Sequence, residues 1–309
     1  MSANPTSEGE VAYEAPGAGK PCKTWYKIVG DLKTSASPPI IALHGGPGAG
    51  HDYLVALIDL YEKHGIPIIF YDQIGCGNST HLKEKLGDES FWTFELFIQE
   101  LDNLIDHLGL REKGYYILGQ SWGGMLGSSY ASRRPRGLKK LVLSGSPASM
   151  PLYKQACKQR LAELPDEIRR TLEECDKKGD HDSPEFKEAA SAFTKRYVCR
   201  LDPMPEPIQR TFNNLKEDST AYTTMQGHSE FDTVGTFKDW EGWKDAHNIQ
   251  VETLLLNGRY DEVMDFVVEP FFKTINKVKW VTLENSSHTS FWEDRERFME
   301  LVGDFLSLK

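Results

Sequence analysis

Short apolar runs that end on small or turn-forming residues recur along the chain. PPIIALHGGPGAG (38–50), IPIIFYDQIGCGNS (66–79), YYILGQSWGG (115–124), LKKLVLSGSPAS (138–149), VETLLLNGRYDEV (251–263) and KWVTLENSSHTS (279–290) share this plan. Strands that are apolar throughout are buried on both faces, which predicts a mostly parallel central sheet with flanking helices. An earlier strand is expected at TWYKIVG (24–30), after a loose lead-in over residues 1–22, where small and polar residues dominate.

Helical spacing fills the gaps between these runs. Phe94, Phe97, Ile98, Leu101, Leu104, Ile105 and Leu108 follow the i, i+3, i+4, i+7 stripe of an amphipathic helix. A second helix is expected to begin at Ser121 and continue through MLGSSYASRRP, and RERFMELVGDFLSL closes the chain. Residues 148–236 break the alternation. They are rich in Lys, Glu and Gln, are interrupted by Pro165, Pro184 and the DPMPEP stretch at 202–207, and carry no run with strand-like apolar density. The expected organisation is therefore an α/β core in two parts, 1–147 and 237–309, with an inserted helical cap over 148–236. A helical insertion at that point sits above the carboxyl ends of the strands, where open α/β sheets bind ligands.

Composition narrows the picture. The 309 residues, 39% hydrophobic and 11% aromatic, suffice for one large α/β domain with an insertion. A net charge of −10 speaks against nucleic acid or an anionic membrane as partner, since either calls for a basic patch. Five scattered cysteines without CxxC spacing fit neither a disulfide framework nor a zinc site, and favour a reducing compartment. The first residues lack a basic and apolar leader, and no apolar run reaches the roughly 18 residues of a membrane span. A cytoplasmic protein is expected. No metal-ligand spacing, Walker loop or dinucleotide fingerprint is present, so neither metal nor cofactor is expected.

Gly119-Gln120-Ser121-Trp122-Gly123 matches G-x-S-x-G between an apolar strand and a helix. A serine on a sharp strand-to-helix turn leaves no room for Cβ atoms two residues to either side, hence the glycines. The pentapeptide alone is a weak signal, and a glycine-rich helix start with a capping serine would look similar; the strand–turn–helix context strengthens it. A nucleophilic serine needs a base and a group that orients the base. In the chain order Ser, acid, His, Asp261 follows the strand VETLLLN and His288 follows the strand KWVTLEN. Glu262 stands directly beside Asp261 and competes for the acid's place. His44-Gly45-Gly46-Pro47-Gly48 follows an early strand and can bring backbone N–H groups close to an oxyanion; the N–H of Gly46 and that of Trp122 are the expected donors. His44 itself is expected to be structural, and Cys76 a small buried filler.

HGGPGAGHDYL, FYDQIGCGNS, GQSWGGMLG, GHSEFDTVGTFKDW, GRYDEV and SSHTSFWEDRE together resemble the proline iminopeptidase family of α/β-hydrolases, closest to its tricorn-interacting aminopeptidase branch and the related amino acid amidases. The resemblance runs from about residue 22 to the C-terminus. It implies the α/β-hydrolase fold and a serine peptidase that releases an N-terminal residue, often proline, from short peptides or amides. Ser121, Asp261 and His288 match the family's triad, and Gly46 and Trp122 its oxyanion donors. It also implies a use for the second acid: Glu262, with Glu230 from the SEFDTVG stretch, would hold the substrate's α-ammonium by charge-assisted hydrogen bonds. Asp232 competes with Glu230 for that role. Two rivals remain: an esterase or amidase for a secondary metabolite or xenobiotic, with the same triad, and a catalytically silent receptor of the same fold.

Overall fold

A computed structural model describes residues 6–231 and 233–308. Eight strands form one sheet: β1 (Thr6–Tyr13), β2 (Cys22–Val29), β3 (Ile40–Leu43), β4 (Ile68–Asp72), β5 (Tyr115–Gln120), β6 (Leu138–Ser144), β7 (Glu252–Gly258) and β8 (Val278–Leu283), in the order β1-β2-β4-β3-β5-β6-β7-β8. β1 pairs antiparallel with β2, and β2 antiparallel with β4. From β4 to β8 every pairing is parallel.

The continuous apolar runs are strands buried on both faces, and the period of two divides their side chains between two cores. Ile41, Leu43, Ile69, Tyr71, Ile117 and Leu141 face one side. Ile40, Ala42, Ile68, Phe70, Leu118 and Val142 face the other. Among the helices in chain order, α1 (Ile58–His64) lies on the second side. The stripe-bearing α2 (Phe94–His107), the short α3 (Leu110–Lys113) and α4 (Trp122–Ala131) cover the first. α2 begins where the Thr93 hydroxyl accepts the Leu96 N–H at 3.3 Å, and Phe97, Ile98, Leu101, Leu104 and Ile105 are its buried face.

Between β6 and β7 the chain runs through α5 (Met150–Ala162), α6 (Asp166–Lys178), α7 (Pro184–Phe193), α8 (Glu206–Glu217) and α9 (Thr220–Met225), with no strand among the described residues. Ser149 and Ser183 cap α5 and α7, each followed by proline in the first turn. After β7 come α10 (Asp265–Thr274) on the first side, then α11 (Ser290–Glu293) and α12 (Arg295–Ser307); α12 packs its Phe298, Met299, Val302, Phe305 and Leu306 on the second.

The lead-in differs from expectation. Residues 6–13 form β1, registered from Thr6 opposite Val29 to Tyr13 opposite Cys22. Only Val11 and Tyr13 of its eight side chains are buried, so backbone pairing holds it, helped by the Tyr13 hydroxyl donating to the Leu96 carbonyl at 2.6 Å. Such an edge strand leaves almost no apolar signature.

Candidate active site

Ser121 occupies the turn between β5 and α4 with φ 54° and ψ −124°, a backbone conformation that non-glycine residues rarely adopt. Its N–H donates to the Ser144 carbonyl of β6 at 3.0 Å, which ties the turn to the neighbouring strand. A Cβ on Gly119 would lie 2.3 Å from the Gly123 carbonyl oxygen, and one on Gly123 would lie 2.1 Å from the Leu43 carbonyl oxygen of β3. Both glycines are thus required by close backbone approach, as the motif suggests.

Asp261 and His288 lie on loops after β7 and β8. His288 Nδ1 and Asp261 Oδ1 are 2.8 Å apart, and that same oxygen accepts the Val263 N–H at 2.8 Å. The adjacent Glu262 approaches the other ring nitrogen instead, with Oε1 3.8 Å from Nε2. The two neighbouring acids are therefore distinguished by geometry: Asp261 is placed to orient the ring, and Glu262 faces the side of the ring from which a serine proton would arrive. Arg160 of α5 holds the Asp261 backbone carbonyl, with Nε at 3.0 Å and a terminal nitrogen at 2.9 Å. The His288 loop hangs from the helical segment between β6 and β7. His288 N–H and Thr289 N–H donate to the carbonyls of Tyr197 and Val198, at 3.2 and 3.1 Å, in the wide π-helical turn Thr194–Val198.

Ser121, His288, Glu230 and Glu262 line one cavity together with Gly45, Gly46, Tyr53 and Tyr222, and Val198, Ile208, Phe212 and Leu215 contribute apolar lining. Gly46 has φ +107°, and a Cβ there would lie 2.7 Å from the Gly48 nitrogen. Trp122 stands at the first position of α4, where backbone N–H groups have no intrahelical acceptor. Glu230 accepts the Tyr153 hydroxyl at 3.2 Å, and Tyr222 lines the cavity beside it. Asp232 lies outside the described residues.

Charge is concentrated here. Glu262 is 2% exposed, and its Oε2, like Oδ2 of Asp261, is buried without a hydrogen-bond partner. Burial, and then the neighbouring Glu230, push the Glu262 carboxyl up to about 8. Burial alone would favour a neutral His288, but Asp261, Glu262 and Glu230 outweigh it and push the imidazole up to about 9.

His44 is structural, as expected. It is fully buried, its Nδ1 bonds the Gly45 carbonyl at 2.9 Å, its Nε2 accepts the Gln73 N–H at 3.0 Å, and burial pulls its pKa down to about 4. Cys76 is buried beneath the same loop.

Three polar residues that the sequence reading did not single out join the parts. Gln73 donates from Nε2 to the His44 carbonyl at 3.1 Å and accepts the Trp122 indole N–H at 2.9 Å. Tyr53 accepts the Gly45 N–H at 2.6 Å and donates to Gln120 Oε1 at 2.6 Å, and Gln120 Nε2 donates to the His288 carbonyl at 3.2 Å. All three lie inside the quoted motifs, but nothing in a single sequence shows what they bridge.

A family model described as the alpha/beta hydrolase fold matches residues 38–295. A proline iminopeptidase of Saccharolobus solfataricus is 36% identical over 267 residues, covering 86% of this chain and 84% of its own length. Among solved structures, that of VinJ superposes with a TM-score of 0.92 at 43% identity, covering 97% of this chain and 98% of the other. That of proline iminopeptidase from Mycobacterium smegmatis superposes with a TM-score of 0.86 at 35% identity, covering 96% and 97%.

Proposed function

The chain belongs to the proline iminopeptidase family of α/β-hydrolases, and from that premise we propose that Ser121, His288 and Asp261 release the N-terminal residue of a short peptide or amino acid amide through an acyl-enzyme. It is a prolyl-aminopeptidase-like serine hydrolase. His288 Nε2 takes the Ser121 hydroxyl proton as Oγ attacks the carbonyl carbon of the first residue. Asp261 holds the ring through Nδ1 and stabilises the imidazolium. The oxyanion is met by the N–H groups of Gly46 and Trp122. His288 then returns the proton to the leaving amine, and water, activated by the same base, releases the amino acid.

The observation that carries the aminopeptidase reading is the pair Glu230 and Glu262 in the cavity of Ser121, with a buried and unpartnered Glu262 oxygen. A buried carboxylate left unpaired is costly, and a substrate ammonium supplies the missing partner. The apolar wall of Val198, Ile208, Phe212 and Leu215 suits proline or another small apolar residue beside it. We place the enzyme in the cytoplasm: all five cysteines are free, and among the described residues no helix is long and apolar enough to cross a membrane.

The test is a paired assay on prolyl p-nitroanilide and its N-acetyl derivative, with Ser121→Ala as control. Turnover of the free amine only, abolished in Ser121→Ala, is expected. Equal turnover of both substrates would replace this reading with the esterase or amidase one.

A further inference from the structure

The substrate cavity contains an imbalance of charge that the acyl-transfer mechanism alone does not require. Among the described residues three carboxylates surround His288: Asp261 at 2.8 Å from Nδ1, Glu262 at 3.8 Å from Nε2, and Glu230 lining the same cavity. The other ionisable groups facing this cluster are uncharged or engaged elsewhere. From α5, Tyr153 donates to Glu230 and Cys157 is a buried thiol, while the Arg160 guanidinium spends its bonds on the backbone carbonyls of Asp261 and Arg259 and on Glu163. Tyr222 of α9 is a phenol that burial and the neighbouring Glu230 keep neutral. Tyr53 is taken up by Gly45 and Gln120, and Glu293, next to the His288 loop, accepts from Ser287 and the Arg200 N–H. Among the described residues no lysine or arginine lines the cavity.

Resting on the ammonium-binding role of Glu230 and Glu262 given above, we propose that the substrate's own amine switches on the catalytic base. In the substrate-free enzyme one proton, shared between Glu262 and His288, offsets the carboxylates; an ammonium entering between Glu230 and Glu262 displaces that proton to solvent and leaves His288 neutral.

Three carboxylates cannot all stay ionised in a dry pocket without a cation or a proton between them. Both groups that can hold that proton are shifted to hold it, the Glu262 carboxyl upward by burial and Glu230, the His288 ring upward by its acidic neighbours. The exchange is balanced: one ammonium enters, one proton leaves, and the cluster's total charge is unchanged. The titration belongs to the pair, since each group sets the field of the other. A protonated His288 cannot accept the Ser121 proton, so a ligand without an amine meets an idle nucleophile. The carboxylates then discriminate twice, once in binding and once in kcat.

The first measurement is calorimetric titration of the enzyme with pyrrolidine, a cation at pH 7 that carries no acyl group, in two buffers of different ionisation enthalpy. Release of about one proton per amine bound is expected. The second is the pH dependence of inactivation by a fluorophosphonate, which needs Ser121 and His288 but brings no amine. Removing one nearby carboxylate charge should move the acid limb down by about one pH unit, so that Glu262→Gln reacts about tenfold faster than wild type at pH 7. Glu230→Gln should shift it in the same direction. Pyrrolidine binding without proton release, or an acid limb unmoved in both variants, would overturn the proposal while leaving the ammonium site in place. Failure of pyrrolidine to bind, with equal turnover of the N-acetyl substrate, would remove the ammonium site itself and the switch with it.

Discussion

Gln73 offers the sharpest test of how the proposed oxyanion donors, Gly46 and Trp122, are held. It is fully buried and reaches both of them at one remove: Nε2 donates to the carbonyl of His44, two residues before Gly46, and Oε1 accepts the indole N–H of Trp122. Replacing it by methionine keeps the volume roughly constant and removes both hydrogen bonds. A buried donor on Trp122 and a buried acceptor on His44 are then left unsatisfied, at about 1–3 kcal/mol each, so a stability loss of about 2–6 kcal/mol is expected. Catalysis should suffer through position rather than chemistry, because Ser121, Asp261 and His288 are untouched. Losing one oxyanion donor outright costs about 10²–10³ in kcat. Loosening two without removing either should lower kcat by about 10- to 100-fold, with KM little changed. Steady-state kinetics on prolyl p-nitroanilide, beside thermal melts of the same preparations, separate the two effects. A methionine variant with a lowered melting temperature but a kcat within twofold of wild type would refute the positioning argument and leave Gln73 a residue of stability only.

Two further outcomes are expected. Asp261→Asn keeps the hydrogen-bonding distance to His288 Nδ1 but removes the charge that fixes the tautomer, so kcat should fall about 10³- to 10⁴-fold with near-native circular dichroism; a loss below tenfold would hand the orienting role to another group. Stability should decline as pH rises from about 5 to 9. Folding shifts both Glu262 and His288 upward, so the native pair keeps its shared proton to higher pH than the separate unfolded groups would; the stability this contributes is complete below the unfolded values of 4.5 and 6.5 and is lost as pH rises through the pair's folded titration. Burial gives Glu100 the same sign, up to about 8, so Glu262→Gln should flatten the melting-temperature profile without abolishing its slope, and an unchanged slope would contradict the assignment.

What could be read from the chain is what short-range chemistry dictates. The two-faced strands announce themselves because a parallel strand is apolar at every position, and the α2 stripe because its period is unmistakable over fourteen residues. Ser121 is legible because its glycines answer to backbone contact within the motif and with the neighbouring strand. Asp261 and His288 follow from chain order once the strands are placed. β1 escapes because its stability lies in backbone pairing, which is indifferent to side-chain polarity. Gln73, Gln120 and Arg160 escape because their partners stand 29 to 168 residues away, and a polar residue's partner has no periodicity. Chain order alone leaves Glu262 in competition with Asp261, and the family resemblance assigns Asp261 to the triad; the structure adds the physical distinction, adjacent residues on a turn that approach different nitrogens of one ring.

These long-range polar contacts also explain how a site crowded with carboxylates keeps its shape. An ion pair to each acid would fix the geometry but would also occupy the oxygens that the proposed substrate ammonium would need. The fold instead ties the loops through neutral groups. Tyr53 and Gln120 connect the glycine loop after β3, the turn after β5 and the loop after β8, while Gln73 connects the loop after β4 with the first two of these. Arg160, close by, grips the backbone of Asp261 rather than its carboxylate. Position is thereby separated from charge. The loops are held by amides and hydroxyls whose state does not change with pH, so the proton and ammonium exchange proposed for the acids would not disturb the position of Ser121.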